Sequence, residues 1–305
     1  MQDSSDGLLT RRTQARAPSH GTLATLLVGA ALLLAVAGFV SVGLTNARAE
    51  PIMRSLAVAM PNWAAGAPPI RVALLSDIHV GNLAMDLGRL ERIVADVNAA
   101  KPDLVLIAGD FTVGHAPGDV SERASALAAR LAGLDAPLGV VAVLGNHDYW
   151  VSPDAIRSAL VNAGVVVLEN QAVPRGALTI VGVGDRFSGH DDIAQASNSA
   201  SLLGGAPVVL THSPDVVPDL PRTFTVVLAG HTHCGQVDLP WWGPVNERSP
   251  YEHGRRLYDP HYLCGVIRDP GRLTIVTAGV GSGTVPLRIG AMPDWWLLTF
   301  GSKDR

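Results

Sequence analysis

Residues 72–79 read VALLSDIH: four apolar residues run directly into Ser76-Asp77-Ile78-His79. Four later stretches repeat this pattern, an apolar run that closes on residues suited to metals or phosphate. Residues 104–108 lead to Gly109-Asp110, and 140–144 lead to Gly145-Asn146-His147-Asp148. Residues 208–210 lead to Thr211-His212-Ser213, and 226–229 to Gly230-His231-Thr232-His233. Continuous apolar runs bounded by Gly and polar residues fit strands buried on both faces. In open α/β sheets, chemistry gathers beyond the carboxyl ends of such strands, where all five polar segments fall. A metal ion takes about four to six ligands and one strand end offers one or two, so a site must draw on several loops. Together the segments read as a two-metal hydrolytic centre.

The intervening sequence supplies helices. Residues 86–100 place Leu87, Leu90, Ile93, Val94 and Val97 at helical spacing, with Arg89, Glu91, Arg92 and Asp96 elsewhere on the surface. Further helices are expected over 120–131, over 153–162 with Pro153 suited to the first turn, and over 192–203. Strands are expected near 165–168 and 178–183, and around Val208, Thr225, Leu273 and Trp295. Strand and helix alternate early and strands dominate late, which predicts an α/β core of two packed sheets with helices outside.

The amino end is of another kind. No charged residue occurs from Gly21 to Ala47, and residues 23–44 are almost wholly Leu, Ala, Val and Gly. A span of ~20 apolar residues crosses a ~30 Å hydrocarbon core as a helix. Arg11, Arg12 and Arg16 precede it and Arg48 and Arg54 follow it, so the positive-inside rule places the amino end in the cytoplasm and the rest outside. Ala47-Arg48-Ala49 resembles a signal-peptidase site, but the apolar run exceeds the 7 to 15 residues usual for signals, which favours a retained anchor. The expected organisation is a disordered cytoplasmic tail (1–20), an anchor or uncleaved signal (21–45), a linker with an edge strand (46–69) and a catalytic domain (70–305).

The 305 residues, 48% hydrophobic, suffice for one large core plus an appendage. A net charge of −4 gives bulk electrostatics no reason to favour nucleic acid as a partner. Cys234 and Cys264 are able to pair in an oxidising compartment, but two cysteines make no disulfide framework, and unpaired thiols are the expectation.

Asp77-x-His79, Gly109-Asp110, Gly145-Asn146-His147-Asp148, His212 and Gly230-His231-Thr232-His233 resemble, in order and spacing, the calcineurin-like metallophosphoesterase family, over roughly residues 70–290. With the apolar amino end, the chain resembles its membrane-associated YkuE/YaeI-like phosphodiesterase branch. The resemblance implies a four-layer αββα sandwich of two mixed sheets flanked by helices, preceded here by one transmembrane helix. It also implies two divalent metal ions, one held by Asp77, His79 and His233, the other by Asn146, His212 and His231, with Asp110 bridging. A carboxylate has two oxygens and is able to span two cations, which agrees with Asp110 in that role. A ligand set of Asp, Asn and His without thiol favours Mn, Fe, Co or Zn. The nucleophile implied is a hydroxide generated by the two cations. His147 would contact the phosphate or protonate the leaving oxygen, with Asp77 or Asp148 orienting its ring from behind.

Weaker candidates are His115, His190, His253 and His261 in loops, and Arg288 in the Gly-rich stretch 283–288, a possible phosphate contact or a structural ion pair. Trp241-Trp242 and Trp295-Trp296 suit lipid headgroups, with core packing expected for at least one of each pair. The expected activity is phosphoester hydrolysis, most simply of a diester, on a substrate plausibly lipid-linked, at the extracytoplasmic face of the cell membrane. Two alternatives are a UDP-2,3-diacylglucosamine pyrophosphatase-like hydrolase, whose precursor is made on the cytoplasmic side, and a catalytically silent membrane-tethered metal-binding scaffold.

Overall fold

The computed structural model describes residues 20–114, 119–245, 247–248 and 254–302. The expected tail, apart from His20, and the loop residues His115 and His253 lie outside the described residues. The chain divides into two units, Met1–Ser41 and Val42–Arg305. Helix α1 (His20–Arg48) is, among the described residues, the helix long and apolar enough to cross a membrane. Its 26 residues Leu23–Arg48 rise ~39 Å at 1.5 Å each, more than the ~30 Å a bilayer core requires.

The second unit holds two six-stranded sheets. In chain order its elements begin with β1 (Ile52–Ala59), β2 (Ile70–Leu75), α2 (Leu87–Ala99), β3 (Leu104–Ala108) and α3 (Val120–Leu131). Next come β4 (Val140–Val143), α4 (Asn146–Val151), α5 (Pro153–Asn162), β5 (Val166–Val167), β6 (Gln171–Arg175) and β7 (Leu178–Gly182). The rest are α6 (Ile193–Ser201), β8 (Ala206–Leu210), β9 (Val226–Ala229), β10 (Asp238–Leu239), β11 (Gly243–Pro244), β12 (Gly265–Asp269), β13 (Arg272–Val276) and β14 (Asp294–Gly301). The first sheet runs β1-β14-β2-β3-β4-β5 and the second β12-β13-β9-β8-β7-β6. The first sheet is parallel except where β14 runs antiparallel to β2, and the second has a parallel centre with an antiparallel pair at each margin.

Alternation along each strand builds the layers. Val72 and Leu74, Leu104 and Leu106, and Val141 and Val143 point inward to meet Ile180, Val208, Leu210 and Leu228 between the sheets. Their neighbours Ala73, Leu75, Val105, Ile107 and Ala142 point outward to Leu90, Ile93 and Val97 of α2, Leu127 of α3 and Ile156 of α5. On the far side, Val181, Val209 and Val227 pack with Ala196 of α6 and with Val216, Leu220 and Phe224. The result is the expected sandwich of two sheets between helical layers. Asp86 caps α2 by accepting from the Arg89 N–H, Asp119 caps α3, and Pro153 opens α5.

Three elements differ from expectation. β6 and β12 are edge strands, half exposed and therefore weakly apolar, and Pro174 in β6 is tolerated because an edge needs fewer N–H donors. Asn146, His147 and Asp148 belong to a short helix, α4, rather than to a strand-end loop. Trp295 and Trp296 are both buried in β14, whereas neither Trp241 nor Trp242 packs in a core.

Candidate metal centre

The centre lies beyond the carboxyl ends of β2, β3, β4, β8 and β9. Sequence reasoning put Asp77 with His79, and His231 with His233, on one face through the two-residue repeat of an extended strand. The structure brings each pair together differently. Asp77, His79, Asp110, His231 and His233 all have φ between 51° and 70°, left-handed backbone that non-glycine residues seldom adopt. Each chain segment turns sharply as it leaves its strand, and such strain persists where the surroundings over-determine it. Two glycines permit the turns. A Cβ on Gly109 would lie 2.7 Å from the Gly145 nitrogen and 2.9 Å from His212 Nδ1, and one on Gly145 would collide with the Asp110 carboxylate.

All seven expected ligands come together, with their donor atoms in two groups. In the first, His233 Nε2 lies 3.2 Å from His79 Nε2 and 3.3 Å from Asp77 Oδ1. In the second, Asn146 Oδ1 lies 3.1 Å from His212 Nε2 and 3.0 Å from His231 Nδ1. Asp110 Oδ2 stands between the groups, 3.4 Å from His79 Nε2 and 3.3 Å from His212 Nε2. Its other oxygen, Oδ1, accepts from the His147 backbone N–H.

Neighbouring groups aim these atoms. His212 Nδ1 hydrogen-bonds the Ala108 carbonyl at 2.6 Å, so the proton sits on Nδ1 and the Nε2 lone pair faces inward. His231 is held in the opposite sense, with Nε2 bonded to the Leu257 carbonyl at 2.8 Å and Nδ1 facing inward. Asp77 Oδ2 accepts from the Ser76 hydroxyl and from the His231 N–H, whereas Oδ1 is buried with no hydrogen-bond partner.

These residues fit divalent cations. Acceptors that face each other at about 3 Å, together with an orphaned buried carboxylate oxygen, call for positive charge between them. Three overlapping sets are able to hold a metal ion: Asp77, His79 and His233; His79, Asp110 and His147; and Asp77, Asp110 and His212. Electrostatics show how strongly the site demands positive charge: burial would lower His212, but Asp110 and Asp77 hold its imidazole well above the ordinary value, a charge that a cation would replace. Burial, with Asp110 beside it, pushes Asp77 up to about 7 and Asp148 up to about 8. Burial alone would raise Asp110 too, but His212 and His147 hold its carboxyl well below the usual range. Burial lowers His79 to about 3 and, with His212, lowers His231 to about 4, so both rings are neutral donors. Burial, His79 and Arg288 likewise keep His233 uncharged.

His147 lies beside these atoms, its ring 4.8 Å from that of His79. Its Nδ1 accepts from the Gly114 N–H at 3.0 Å, so a neutral ring carries its proton on Nε2. Asp148 accepts from the backbone N–H groups of Asp110, Phe111 and Gly145, fixing the β3 and β4 loops against each other.

Arg288 also corrects expectation. It is fully buried, and its guanidinium donates to the carbonyls of Gly281, Ala291 and Ala278 behind His233, which Nη2 approaches at 3.2 Å. It braces the Gly-rich loop. Cys234 has φ 52°, not an extended backbone, and is bonded to Cys264. The expected free thiols are thus a disulfide, brought together by a fold in which Cα atoms 30 positions apart in sequence stand 4.8 Å apart.

A cleft of about 350 Å³ adjoins the centre, lined by Trp150, Phe187, His190, Arg186 and Arg255 among others. The Trp150 ring lies 4.8 Å from His147 and Phe187 lies 4.9 Å from His231. His190 stacks on Tyr149, whereas His261 turns to Asp269 at 2.8 Å. Sequence reasoning missed Gly114, Trp150, Phe187 and the carbonyls of Ala108 and Leu257. Trp150 stands just after the Asn-His-Asp segment, which is a signal; a carbonyl has none.

A family model described as calcineurin-like phosphoesterase matches residues 70–235. An uncharacterized metallophosphoesterase of Aquifex aeolicus is 30% identical over 77% of this chain and 86% of its own. The uncharacterized metallophosphoesterase YkuE of Bacillus subtilis is 26% identical over 77% of this chain and 80% of its own. A transmembrane protein with metallophosphoesterase domain from Danio rerio is 29% identical over 82% of this chain and 57% of its own.

Proposed function

We propose that this chain, which belongs to the calcineurin-like phosphoesterase family, hydrolyses phosphodiesters at a dinuclear metal centre while anchored in a membrane. One observation carries the reading: Asp110 Oδ2 lies within 3.4 Å of donors from both groups of ligands, where a single carboxylate would serve two cations. Asp77, His79 and His233 would hold one ion and Asn146, His212 and His231 the other. When bound, the cations supply Lewis acidity, lowering the pKa of a water and neutralising phosphoryl charge.

The remaining steps belong to the chain. Asp110 Oδ1 is tied to the His147 N–H, and this tie orients Oδ2 between the two sites. Gly114 keeps the proton of a neutral His147 on Nε2, from where it is donated to the leaving oxygen, a role worth typically 10²- to 10⁴-fold. Trp150 and Phe187 wall the side of the centre from which the leaving group departs into the cleft.

The helix α1 supports the anchor. The Cys234–Cys264 bond supports an extracytoplasmic domain, because the cytosol of most cells keeps thiols reduced. Purified full-length protein assayed with bis(p-nitrophenyl) phosphate is expected to need Mn, Fe, Co or Zn, to lose turnover on chelation and to regain it on reloading. No hydrolysis with any of these metals overturns the reading and leaves a silent metal-binding scaffold. A carboxyl-terminal reporter active only in the cytoplasm overturns the orientation and restores the UDP-2,3-diacylglucosamine alternative.

A further inference from the structure

We propose that the loops around the last turns of α1 form a rim that docks into the phospholipid surface and sets the metal centre at headgroup level, so that its substrate is a phosphoester embedded in that surface. The docking stands on its own; the substrate class rests on the hydrolase reading above.

The rim exposes large apolar side chains. Trp241 is 99% exposed and Trp242 88%, adjacent residues at the turn between β10 and β11. Leu83 is 67% exposed and Val285 53%. Scattered exposed apolar residues are ordinary, but a contiguous set marks an interaction site.

The set is joined to the end of α1. The Arg288 N–H donates to the Gly43 carbonyl at 2.9 Å, and a Cβ on Gly43 would lie 3.2 Å from Leu287. The Asn46 side chain donates to the Arg288 carbonyl, and Arg48 to that of Leu83. One step further, the Asp238 N–H donates to the Ile289 carbonyl, which ties the Trp hairpin to the same strip. At Gly43 the unit connects covalently to the apolar stretch 23–40, whose chemistry requires a bilayer. The patch surrounds the end of the unit from which that stretch leaves, so a bilayer that takes up the stretch is brought to the patch. Indole favours the water–hydrocarbon boundary, where its ring is buried and its N–H stays wet, and a hairpin tip carrying two of them suits that depth.

The same loops touch the centre. Gln236 accepts from the Gly283 N–H at 2.9 Å and donates to the Val285 carbonyl at 2.8 Å. A Cβ on Gly283 would lie 3.6 Å from His233 Nε2. Asn82, next to Leu83, donates to the Ser282 and Gly283 carbonyls. One end of this loop faces a metal ligand and the other lies in the rim, so a phosphate at headgroup depth is beside the metals.

Residues 20–48 contain no Trp, so indole fluorescence in vesicles reports the unit and not the anchor. Full-length protein is reconstituted in phosphatidylethanolamine–phosphatidylglycerol vesicles with and without lipids brominated near the headgroup. Quenching is expected, and most of it is lost in the Trp241→Ser/Trp242→Ser double variant. That variant should raise KM for a vesicle-embedded phospholipid diester about tenfold, the equivalent of ~1.4 kcal/mol, and leave kcat/KM for bis(p-nitrophenyl) phosphate unchanged. Equal quenching of wild type and variant, or none in either, overturns the docking. Quenching without hydrolysis of the soluble diester retains the docking and sinks the hydrolase reading. Hydrolysis of the soluble diester, with the vesicle KM unmoved, overturns the substrate class.

Discussion

The metal centre and the Trp hairpin are opposite violations of the same rule. At the centre three carboxylates and several imidazoles are buried; at the hairpin two indoles stand in the open. Burying charge and exposing large apolar surface both cost free energy, and each marks a place where a partner would be favourable. The chemistry of each violation underlies the partner proposed for it: divalent cations for converging lone pairs, a lipid interface for exposed indole. The second difference is rigidity of specification. At the centre His212, His231, Asp77 and Asp110 are each fixed by a hydrogen bond from behind, whereas the hairpin is held by its backbone.

The contrast breaks most sharply at Asp110. Asp110→Ala should lower turnover by about 10³-fold or more, since several kcal/mol of charge stabilisation leave with the shared ligand, and bound metal should fall from about two ions to one or none. Steady-state kinetics with elemental analysis checks both; full metal occupancy would remove Asp110 from between the ions. His147→Ala separates chemistry from binding. It should keep both ions and lose about 10²- to 10⁴-fold in turnover, and loss of metal together with activity would make His147 a ligand instead.

Arg89 sharpens the comparison from the structural side. It is buried and donates to the carbonyls of Ala49, Ala84 and Val280, and burial lowers it to about 10. Arg89→Met should destabilise the fold by roughly 2–4 kcal/mol in urea melts, because three buried carbonyls lose their donor. Removing the Cys234–Cys264 bond with Cys264→Ser should cost roughly 2–4 kcal/mol, and a reductant should lower Tm of the wild type but not of the variant. The smallest effect belongs to the hairpin. Trp241→Ser/Trp242→Ser should change stability in detergent by no more than about 0.5 kcal/mol, as surface substitutions do, since neither side chain is part of a core.

Particular residues show what was legible. The strands β2, β3, β4, β8 and β9 announced themselves because burial on both faces demands unbroken apolar runs, and α3 and α5 because capping and Pro chemistry is local. Edge strands β6 and β12 were illegible for the converse reason: half exposed, they carry no such run. Asp77, His79, Asp110, Asn146, His212, His231 and His233 all converge, but left-handed turns at Asp77, His79, Asp110, His231 and His233, not strand alternation, accompany that convergence. Residue type alone does not reveal a positive φ outside glycine. The sequence left the role of Arg288 open between a phosphate contact and a structural ion pair, because an arginine in a Gly-rich loop looks the same in either setting; the structure surrounds it with backbone carbonyls.

The sequence by itself determined the buried strands, the longer helices, the ligand types and the apolar amino end, because periodicity, capping and ligand chemistry depend on residues near one another in the chain. Tertiary structure alone decided which nitrogen of each histidine faces inward, that Asp148 fixes loops, that Cys234 meets Cys264, and that the Trp hairpin lies on the strip joined to α1. Each depends on contacts between residues distant in sequence, many of them to backbone carbonyls, and a carbonyl is common to every residue and so leaves no mark on the sequence.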